Sequence, residues 1–325
     1  MDPMVMTLGL ILVGLVLLTV GGEVLVRGAS GAARSLGVSP LVIGLTLVGF
    51  GTSMPELVTS VQAAFAGAPG IAVGNVVGSN IANILLILGV TALIMPIAVQ
   101  KESFRRDGAV MLGASLLLVA ICLYGNLSTW VGAVFVAGLI GYIGYTFWVE
   151  RKSEHPAHAA EEDGPVKKGW VPIASGVALA AVGIAVTILG ARLLVDGSVT
   201  IARSLGVSDT LIGLTIVAVG TSLPELVTSV IAALRRHADI AIGNIVGSNI
   251  YNILGILGVT ALIKPIAIPA VITSQDIWVM LAATVGLIAL AAWGWVLGRA
   301  KGLVLLGAYV AYILVLIWQA GALGA

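Results

Sequence analysis

The chain has 325 residues, of which 59 % are hydrophobic and 10 % are charged, and its formal net charge is +1. With a mean hydropathy of +1.13, this composition excludes a soluble globular protein, whose surface needs many more charged residues, and indicates an integral membrane protein. Because the charge is nearly balanced and no basic patch is interleaved with aromatic residues, no nucleic-acid partner is expected. The single cysteine, Cys122, excludes a disulfide framework and a cysteine-based metal site.

Apolar runs follow one another along the chain, and each is long enough to cross a bilayer, which takes about 20 residues. A cleavable signal peptide carries Lys or Arg before its apolar run, and the first run of this chain has none before it. We therefore predict that this run is the first span. We predict ten transmembrane helices, at residues 4–26, 39–66, 71–95, 107–125, 128–149, 171–195, 208–234, 240–263, 275–298 and 302–321.

The one long polar segment, Glu150 to Gly169, separates the predicted helices into two sets of five. Its composition is typical of a solvated linker. The predicted organisation is therefore a first five-helix half at residues 1–149, a linker at 150–170 and a second five-helix half at 171–325.

Lys and Arg are unevenly distributed between the predicted connections. With the N-terminus outside, all but three of the 16 basic residues fall on the inner side, and the outer side holds Arg192, Arg203 and Lys264. Cytoplasmic connections of membrane proteins carry such an excess of basic residues. We therefore expect a multi-pass protein of the cell (inner) membrane, with both termini outside and the linker in the cytoplasm.

A polar stretch occurs twice, with a constant offset of 169 positions. Gly49-Phe-Gly-Thr-Ser-Met-Pro-Glu56 returns as Ala218-Val-Gly-Thr-Ser-Leu-Pro-Glu225, and Gly74-Asn-Val-Val-Gly-Ser-Asn-Ile-Ala-Asn83 returns as Gly243-Asn-Ile-Val-Gly-Ser-Asn-Ile-Tyr-Asn252. Residues 34–97 align with 203–266 without a gap at roughly 70 % identity, which indicates an internal duplication. A duplication kept only for helix packing would preserve the apolar and Gly positions. Here the Thr, Ser, Glu and Asn positions are repeated most faithfully, which favours a functional site over packing alone.

Because five is an odd number, a five-helix unit enters the membrane from opposite sides in its two copies. The predicted fold is an all-α integral membrane protein with ten transmembrane helices in two inverted five-helix repeats, whose repeated motifs lie at 44–83 and 213–252. This architecture is typical of secondary transporters, which bind their substrates near the bilayer midplane where the repeats meet.

Glu56 and Glu225 are the only carboxylates deep inside the predicted spans, and no Lys or Arg lies at comparable depth. Such residues usually face a cavity and mark an ion path, although structural pairing is the alternative. Each glutamate follows a proline, which removes an N–H group and is predicted to break the second and seventh helices. The breaks free backbone carbonyls in the preceding turn, which belong to Gly51 or Thr52 and, in the copy, to Gly220 or Thr221.

Carbonyls beside carboxylates and serine hydroxyls form an all-oxygen site, which suits hard cations such as Ca²⁺ and Na⁺ rather than soft metals. The second motif adds Ser79 and Asn83, which lie four residues apart on one helix face and return as Ser248 and Asn252. Neighbouring amides could support the ligands from a second layer, namely those of Asn80 and Asn249. Glycines of the same motif predict close helix packing, namely Gly74, Gly78, Gly243 and Gly247.

At these residues the sequence resembles the cation/calcium exchanger superfamily, in the branch of prokaryotic sodium/calcium exchangers. The resemblance covers nearly the whole chain and implies four ion sites in a diamond at the midplane. It implies that calcium is held by Glu56, Glu225 and the backbone oxygens of Thr52 and Thr221. For sodium, it implies the same glutamates with Ser53, Ser248 and the Gly49 carbonyl on one side, and Ser79, Ser222 and the Ala218 carbonyl on the other. Asn83 and Asn252 would line the central position.

Two features of the motifs bear on the transported ions. Some family members, including potassium-dependent ones, carry Asp where Asn252 stands, so a neutral residue here argues against potassium co-transport. The proton/calcium branch typically carries a glutamate where this chain has Gly78 and Gly247, which favours sodium as the counter-ion.

The expected function is secondary active antiport of Na⁺ against Ca²⁺ by alternating access, and the resemblance implies about three Na⁺ per Ca²⁺. Proton/calcium antiport and a cation channel remain the alternatives. A membrane hydrolase would need a nucleophile, and the one candidate, Ser53 beside Glu56, is copied in the other half, which argues against an enzyme. We expect no cofactor, the two ions and the lipid bilayer as partners, and a functional monomer.

Overall fold

The helices occupy most of the chain. The computed structural model describes residues 3–67, 69–152, 169–205, 218–268 and 272–323. The helices in these ranges are α1 (Pro3–Leu36), α2 (Pro40–Thr52), α3 (Met54–Phe65), α4 (Gly70–Ile94), α5 (Lys101–Tyr124), α6 (Thr129–Lys152), α7 (Trp170–Ser204), α8 (Ala218–Thr221), α9 (Leu223–Leu234), α10 (Ala238–Ile263), α11 (Ile272–Ala292) and α12 (Arg299–Leu323).

Eight single helices of the described ranges are long and apolar enough to cross a membrane, and α2 with α3 forms a ninth candidate span bent by 45°. The protein is therefore a multi-pass membrane protein, and the predicted break in its second span is confirmed. The predicted span 208–234 is described only from Ala218 onward, as the short helix α8 followed by α9. Ten spans therefore remain a prediction.

Most of the predicted linker, residues 153–168, and positions 213–217 of the second motif lie outside the described residues. Of the linker's two ends, α6 continues to Lys152 and α7 begins at Trp170. The helices on either side therefore extend into both ends of the predicted linker.

Among the described helices, four contain a π-helical turn, in which each backbone N–H group bonds the carbonyl five residues earlier instead of four. Two of these turns begin at or beside repeated asparagines: Asn83–Ile87 in α4 and Tyr251–Leu257 in α10. The others are Gly44–Val48 in α2 and Ile272–Asp276 in α11. π-Helical turns are frequent at functional sites because they re-aim side chains within a helix.

Short strands tie the two halves together at two places. They are β1 (Ile97–Ala98), β2 (Asn126–Leu127), β3 (Ile266–Ala267) and β4 (Val296–Leu297). Strand β1 of the first half pairs antiparallel with β4 of the second, and β2 pairs in the same way with β3. Each half therefore contributes one strand to each pair.

Helices α4 and α10 form the most buried part of the molecule, and α5, α6, α11 and α12 pack around them. Helices α1 and α7 lie at the outside of this group and pack mainly against each other. A second, smaller apolar cluster joins α1 and α7 to α2, α9 and the start of α10.

The contact between α1 and α7 is a seam of glycines spaced by seven residues. In α1 it contains Gly14, Gly21 and Gly28. These face α7 in reverse order: a Cβ atom on Gly14 would lie 2.8 Å from the Gly190 carbonyl oxygen, and one on Gly28 would lie 2.8 Å from that of Gly176. The helices are therefore antiparallel and touch through their backbones, a contact that only small residues allow.

We expect Gly183→Ala in this seam to lower the apparent melting temperature of the detergent-purified protein. The new Cβ atom would lie 2.6 Å from Leu25 Cα, and overpacking of this kind costs about 1–3 kcal/mol. The control is Gly9→Ala on α1, where no atom lies within 4 Å of the new Cβ atom and the repeat-equivalent residue is Ala178. An unchanged melting temperature in Gly183→Ala would contradict the backbone contact.

Candidate functional site

Both site glutamates lie in the first turn of a helix that begins immediately after a break. Ser53 separates α2 from α3 with φ −84° and ψ 10°, and Ser222 separates α8 from α9 with φ −91° and ψ 7°. A proline occupies the second position of each new helix. Because proline has no N–H group, the carbonyl four residues before it loses its helical donor.

The two carboxylates are buried, each about 1 % exposed. They belong to one site, because Ser53 Oγ of the first half donates a hydrogen bond of 3.0 Å to Glu225 Oε1 of the second. None of the ion pairs among the described residues involves either glutamate. The second oxygen of each carboxylate, Glu56 Oε2 or Glu225 Oε2, has no hydrogen-bond partner. Burial of such an anionic oxygen is costly unless a cation or a proton balances it.

Neutral oxygens of the same repeated motifs are also buried without hydrogen-bond partners. Within the described ranges these atoms include Ser222 Oγ and the side-chain carbonyl oxygens of Asn83, Asn249 and Asn252. The amide nitrogen of Asn252 is held by the protein, since it donates to Asn80 Oδ1 at 2.9 Å. These atoms are acceptor oxygens, which are the ligands that a hard cation requires.

The other predicted ligands lie on the same helices. Ser248 Oγ on α10 donates to the Gly49 carbonyl on α2 at 3.4 Å, which brings these two residues together. Thr52 is fully buried at the end of α2, and Ser79 is buried on α4, one turn before Asn83. Helix α8, which carries Ala218 and Thr221, packs against the first part of α4. The side chain of Ala218 lies outside the described residues.

Two asparagines that are not among the predicted ligands donate hydrogen bonds to the backbone carbonyls of the glutamates. Asn75 Nδ2 donates to the Glu56 carbonyl at 3.1 Å and to Ser60 Oγ at 3.0 Å. In the second half, Asn244 Nδ2 donates to the Glu225 carbonyl at 3.3 Å and to Ser229 Oγ at 2.9 Å. The available signal was their exact repetition 169 positions apart in the Gly-Asn pair of the second motif.

The glutamates are not the only buried carboxylates of the spans. Asp107 on α5 is about 1 % exposed, but it is paired with Arg106 at 2.7 Å and accepts a hydrogen bond from Tyr142 at 3.1 Å. The predicted span begins at Asp107, whereas α5 begins six residues earlier. Its neighbouring cation distinguishes Asp107 from Glu56 and Glu225.

A cavity of about 240 Å³ lies between α2, α6 and α10. Its lining is mostly apolar and includes Phe50 and Tyr251, whose rings meet edge to face with centroids 4.8 Å apart. Gly247, next to Ser248, lines it, but neither glutamate does. The two carboxylates are therefore not part of this cavity.

Comparisons with known proteins identify the family to which the chain belongs. The model of the sodium/calcium exchanger protein family matches residues 6–148 and 175–318. The sodium/calcium exchanger MaX1 of Methanosarcina acetivorans is 37 % identical over 95 % of this chain and 98 % of its own length. The inner membrane protein YrbG of Escherichia coli is 35 % identical over 97 % and 98 %.

A solved structure of the sodium-calcium exchanger NCX_Mj superposes with a TM-score of 0.82 at 34 % identity, covering 96 % of this chain and 99 % of that one. A more distant relative is the Ca²⁺/H⁺ antiporter ChaA of Bacillus subtilis, 24 % identical over 87 % of this chain and 85 % of its own. This chain belongs to the sodium/calcium exchanger family. The family consists of transporters, so the protein is not an enzyme.

We expect Gly247→Ala to weaken Ca²⁺ binding by about tenfold, because it disturbs the contact between α2 and α10 and with it the spacing of the predicted ligands. A Cβ atom on Gly247 would lie 2.6 Å from Leu45 Cα, so α2 would have to move away from α10 and from Ser248. The measurement is calorimetric titration of the purified protein with Ca²⁺. Gly113→Ala on the exposed face of α5, where no atom lies within 4 Å of the new Cβ atom, is the control. Equal affinities in the two variants would contradict this role.

Proposed function

We propose that this protein exchanges Na⁺ for Ca²⁺ across the cell (inner) membrane by alternating access, without a cofactor and as a monomer. The observation that carries the proposal is the buried pair Glu56 and Glu225, linked across the two halves by the hydrogen bond of Ser53 to Glu225, with one oxygen of each carboxylate left without a partner. Membership of the family supports cation/Ca²⁺ antiport, and the names of MaX1 and NCX_Mj favour sodium as the counter-ion.

The proposed Ca²⁺ ligands are the two carboxylates and the backbone oxygens of Thr52 and Thr221. For Na⁺ we propose two sites that use the same carboxylates. The first site also includes Ser53, Ser248 and the Gly49 carbonyl, and the contacts from Ser53 to Glu225 and from Ser248 to Gly49 support it. The second site also includes Ser79, Ser222 and the Ala218 carbonyl, and the unpartnered hydroxyl of Ser222 supports it. Asn83 and Asn252 would line the centre.

Charge explains why the two ions would exclude each other. Two carboxylates are neutralised by one Ca²⁺ or by two Na⁺, and a third Na⁺ leaves a net charge of +1. Calcium together with three Na⁺ would leave +3. Two like charges about 4 Å apart at an effective dielectric constant of about 20 cost roughly 4 kcal/mol. Exchange at three Na⁺ per Ca²⁺, which we propose from the family resemblance, is then electrogenic.

Proton/calcium exchange is the second candidate, favoured by the similarity to ChaA. Its branch typically carries a glutamate where Gly78 and Gly247 stand in this chain. A Cβ atom on Gly247 would collide with the backbone of Leu45, so the packing of α2 on α10 leaves no room for a glutamate there, whereas a Cβ atom on Gly78 would meet nothing within 4 Å. The lack of a glutamate at both positions of the sequence favours sodium.

Both site glutamates are required by the proposed mechanism. We expect Glu56→Gln and Glu225→Gln each to abolish Ca²⁺ uptake into proteoliposomes driven by an imposed Na⁺ gradient, because one remaining carboxylate cannot neutralise Ca²⁺. Glu102→Gln, at an exposed glutamate near the start of α5, is the matched control and should retain uptake. Uptake in either site variant comparable to that of the wild type would refute the assignment.

The same proteoliposomes distinguish the counter-ions. Wild-type uptake should follow an imposed Na⁺ gradient and respond to membrane potential. Uptake that follows a proton gradient equally well in the absence of Na⁺ would favour the second candidate, and Ca²⁺ flux that needs no counter-ion gradient would indicate a channel.

We further propose ten transmembrane helices in two inverted repeats, related by a pseudo-two-fold axis in the membrane plane. The strand pairs β1–β4 and β2–β3, each with one strand from each half, and the antiparallel glycine seam support this arrangement. Near the centre, Ser115 Oγ on α5 lies 3.4 Å from Thr284 Oγ1 on α11. These positions are 169 apart, and a residue that meets its own equivalent lies at the axis. Helices α1 and α7, which pack mainly on each other, would slide together against the rest.

The proposed topology places both termini outside and the linker in the cytoplasm. In a Cys122→Ser background, we expect Ser128→Cys to react with a membrane-impermeant maleimide added to intact cells, and Ser153→Cys to react only after permeabilisation. Cys122 itself is buried and is removed to eliminate background labelling. The reverse labelling pattern would overturn the orientation.

A further inference from the structure

We propose that Asn75 and Asn244 are positioning residues that set the separation of the two glutamate-bearing helix starts and thereby the preference of the site for a divalent ion; this inference rests on the proposed function. Each amide bridges two acceptors of one helix, the carbonyl of the site glutamate and the serine hydroxyl four residues later. Neither asparagine belongs to the proposed ligands.

The helix starts that carry the glutamates lack the usual local anchor. An N-cap residue normally accepts a hydrogen bond from the first turn through its side chain, but neither Ser53 nor Ser222 makes such a bond. Ser53 instead directs its hydroxyl at Glu225. Besides their backbone hydrogen bonds, the first turns of α3 and α9 are contacted from the side by α4 and α10.

Asn75 and Asn244 supply this lateral anchor. From α4, Asn75 Nδ2 reaches the Glu56 carbonyl and Ser60 Oγ, and from α10, Asn244 Nδ2 reaches the Glu225 carbonyl and Ser229 Oγ. All four contacts lie between 2.9 and 3.3 Å. The same geometry occurs in both halves, so it is a property of the duplicated unit.

Asn244 also joins the two halves. Its side-chain oxygen lies 3.2 Å from Thr52 Oγ1, within hydrogen-bond distance, and Thr52 is fully buried on α2 of the first half. One amide therefore contacts the backbone of Glu225 through its nitrogen and the Thr52 hydroxyl through its oxygen. In the proposed Ca²⁺ site, the carboxylate of Glu225 and the carbonyl of Thr52 must close on one ion, so Asn244 fixes the distance between two of its ligands.

Loss of this anchor should affect Ca²⁺ more than Na⁺. A divalent ion interacts with each carboxylate twice as strongly as a monovalent ion at the same distance, so its affinity depends more steeply on keeping both carboxylates close. Partners that orient ligands from outside typically contribute 10- to 100-fold to metal affinity. We expect Asn244→Ala to weaken Ca²⁺ binding on the order of tenfold, with a smaller change for Na⁺. Asn75→Ala should act in the same direction but less strongly, because no contact of Asn75 to the other half is described.

The experiment compares equilibrium binding in detergent-purified protein, by calorimetric titration with Ca²⁺ and, separately, by displacement of Ca²⁺ with Na⁺. The control is Ser115→Ala, which removes a buried hydroxyl that bonds the Met111 carbonyl at 2.9 Å and lies outside the ligand set. A selective loss of Ca²⁺ affinity in the asparagine variants, but not in Ser115→Ala, supports the proposal. A lower yield of folded protein with unchanged affinities, or equal losses for both ions, overturns it.

If Asn244→Ala fails to fold, Ser229→Ala gives a milder version of the same test. It removes the hydroxyl that accepts one of the two hydrogen bonds from the Asn244 amide. It should weaken Ca²⁺ binding by about two- to fivefold, as expected for one lost hydrogen bond. Unchanged binding in Ser229→Ala and Asn75→Ala then overturns the proposal. Binding is measured without an ion gradient, so it does not depend on transport. A wild type that binds Ca²⁺ but does not exchange it for Na⁺ would contradict the proposed function, and the comparison of binding between the variants would still stand.

Discussion

The structure depends on two buried negative charges that have no basic partner among the described residues. Each carboxylate comes from the start of a broken helix, and the two are brought together by a serine of one half that bonds the glutamate of the other. An anion in such an environment is costly, and the cost falls only when a cation or a proton enters. The packing of the two carboxylates therefore calls for a balancing cation or proton.

The duplication explains how one short motif makes a complete site. A single copy supplies one carboxylate, one broken helix and one amide that anchors it, and the second copy supplies the same parts from the other half. The glycine seam joins equivalent helices of the two copies. Each strand instead pairs with the equivalent of its neighbour, since β1 pairs with β4, the counterpart of β2, and β2 pairs with β3, the counterpart of β1. Asymmetry remains where the copies differ in detail: Ser53 bonds Glu225, whereas the hydroxyl of Ser222 is left without a partner.

Much of this could be predicted from the sequence, because the strongest signals were local or repeated. Apolar runs gave the spans, Pro55 gave the break in the second span, and the repeated glutamates indicated the site. The role of Asn75 was not predictable, because its acceptors lie on another helix and depend on how α3 packs against α4. The π-helical turn at Asn83 was also missed, since it arises from hydrogen bonding rather than from composition. Asp107 shows the limit of span prediction, as its burial depends on where α5 begins.

In the proposed exchange, Ca²⁺ and Na⁺ occupy the same two carboxylates in turn and never together. The decisive measurement is equilibrium binding of radioactive Ca²⁺ to the purified wild-type protein at increasing Na⁺ concentrations. We expect the apparent Ca²⁺ dissociation constant to rise without limit as Na⁺ increases, with a slope above one on logarithmic axes because more than one Na⁺ replaces each Ca²⁺. A dissociation constant that levels off at high Na⁺ would show that both ions bind at once and would overturn the proposed exchange.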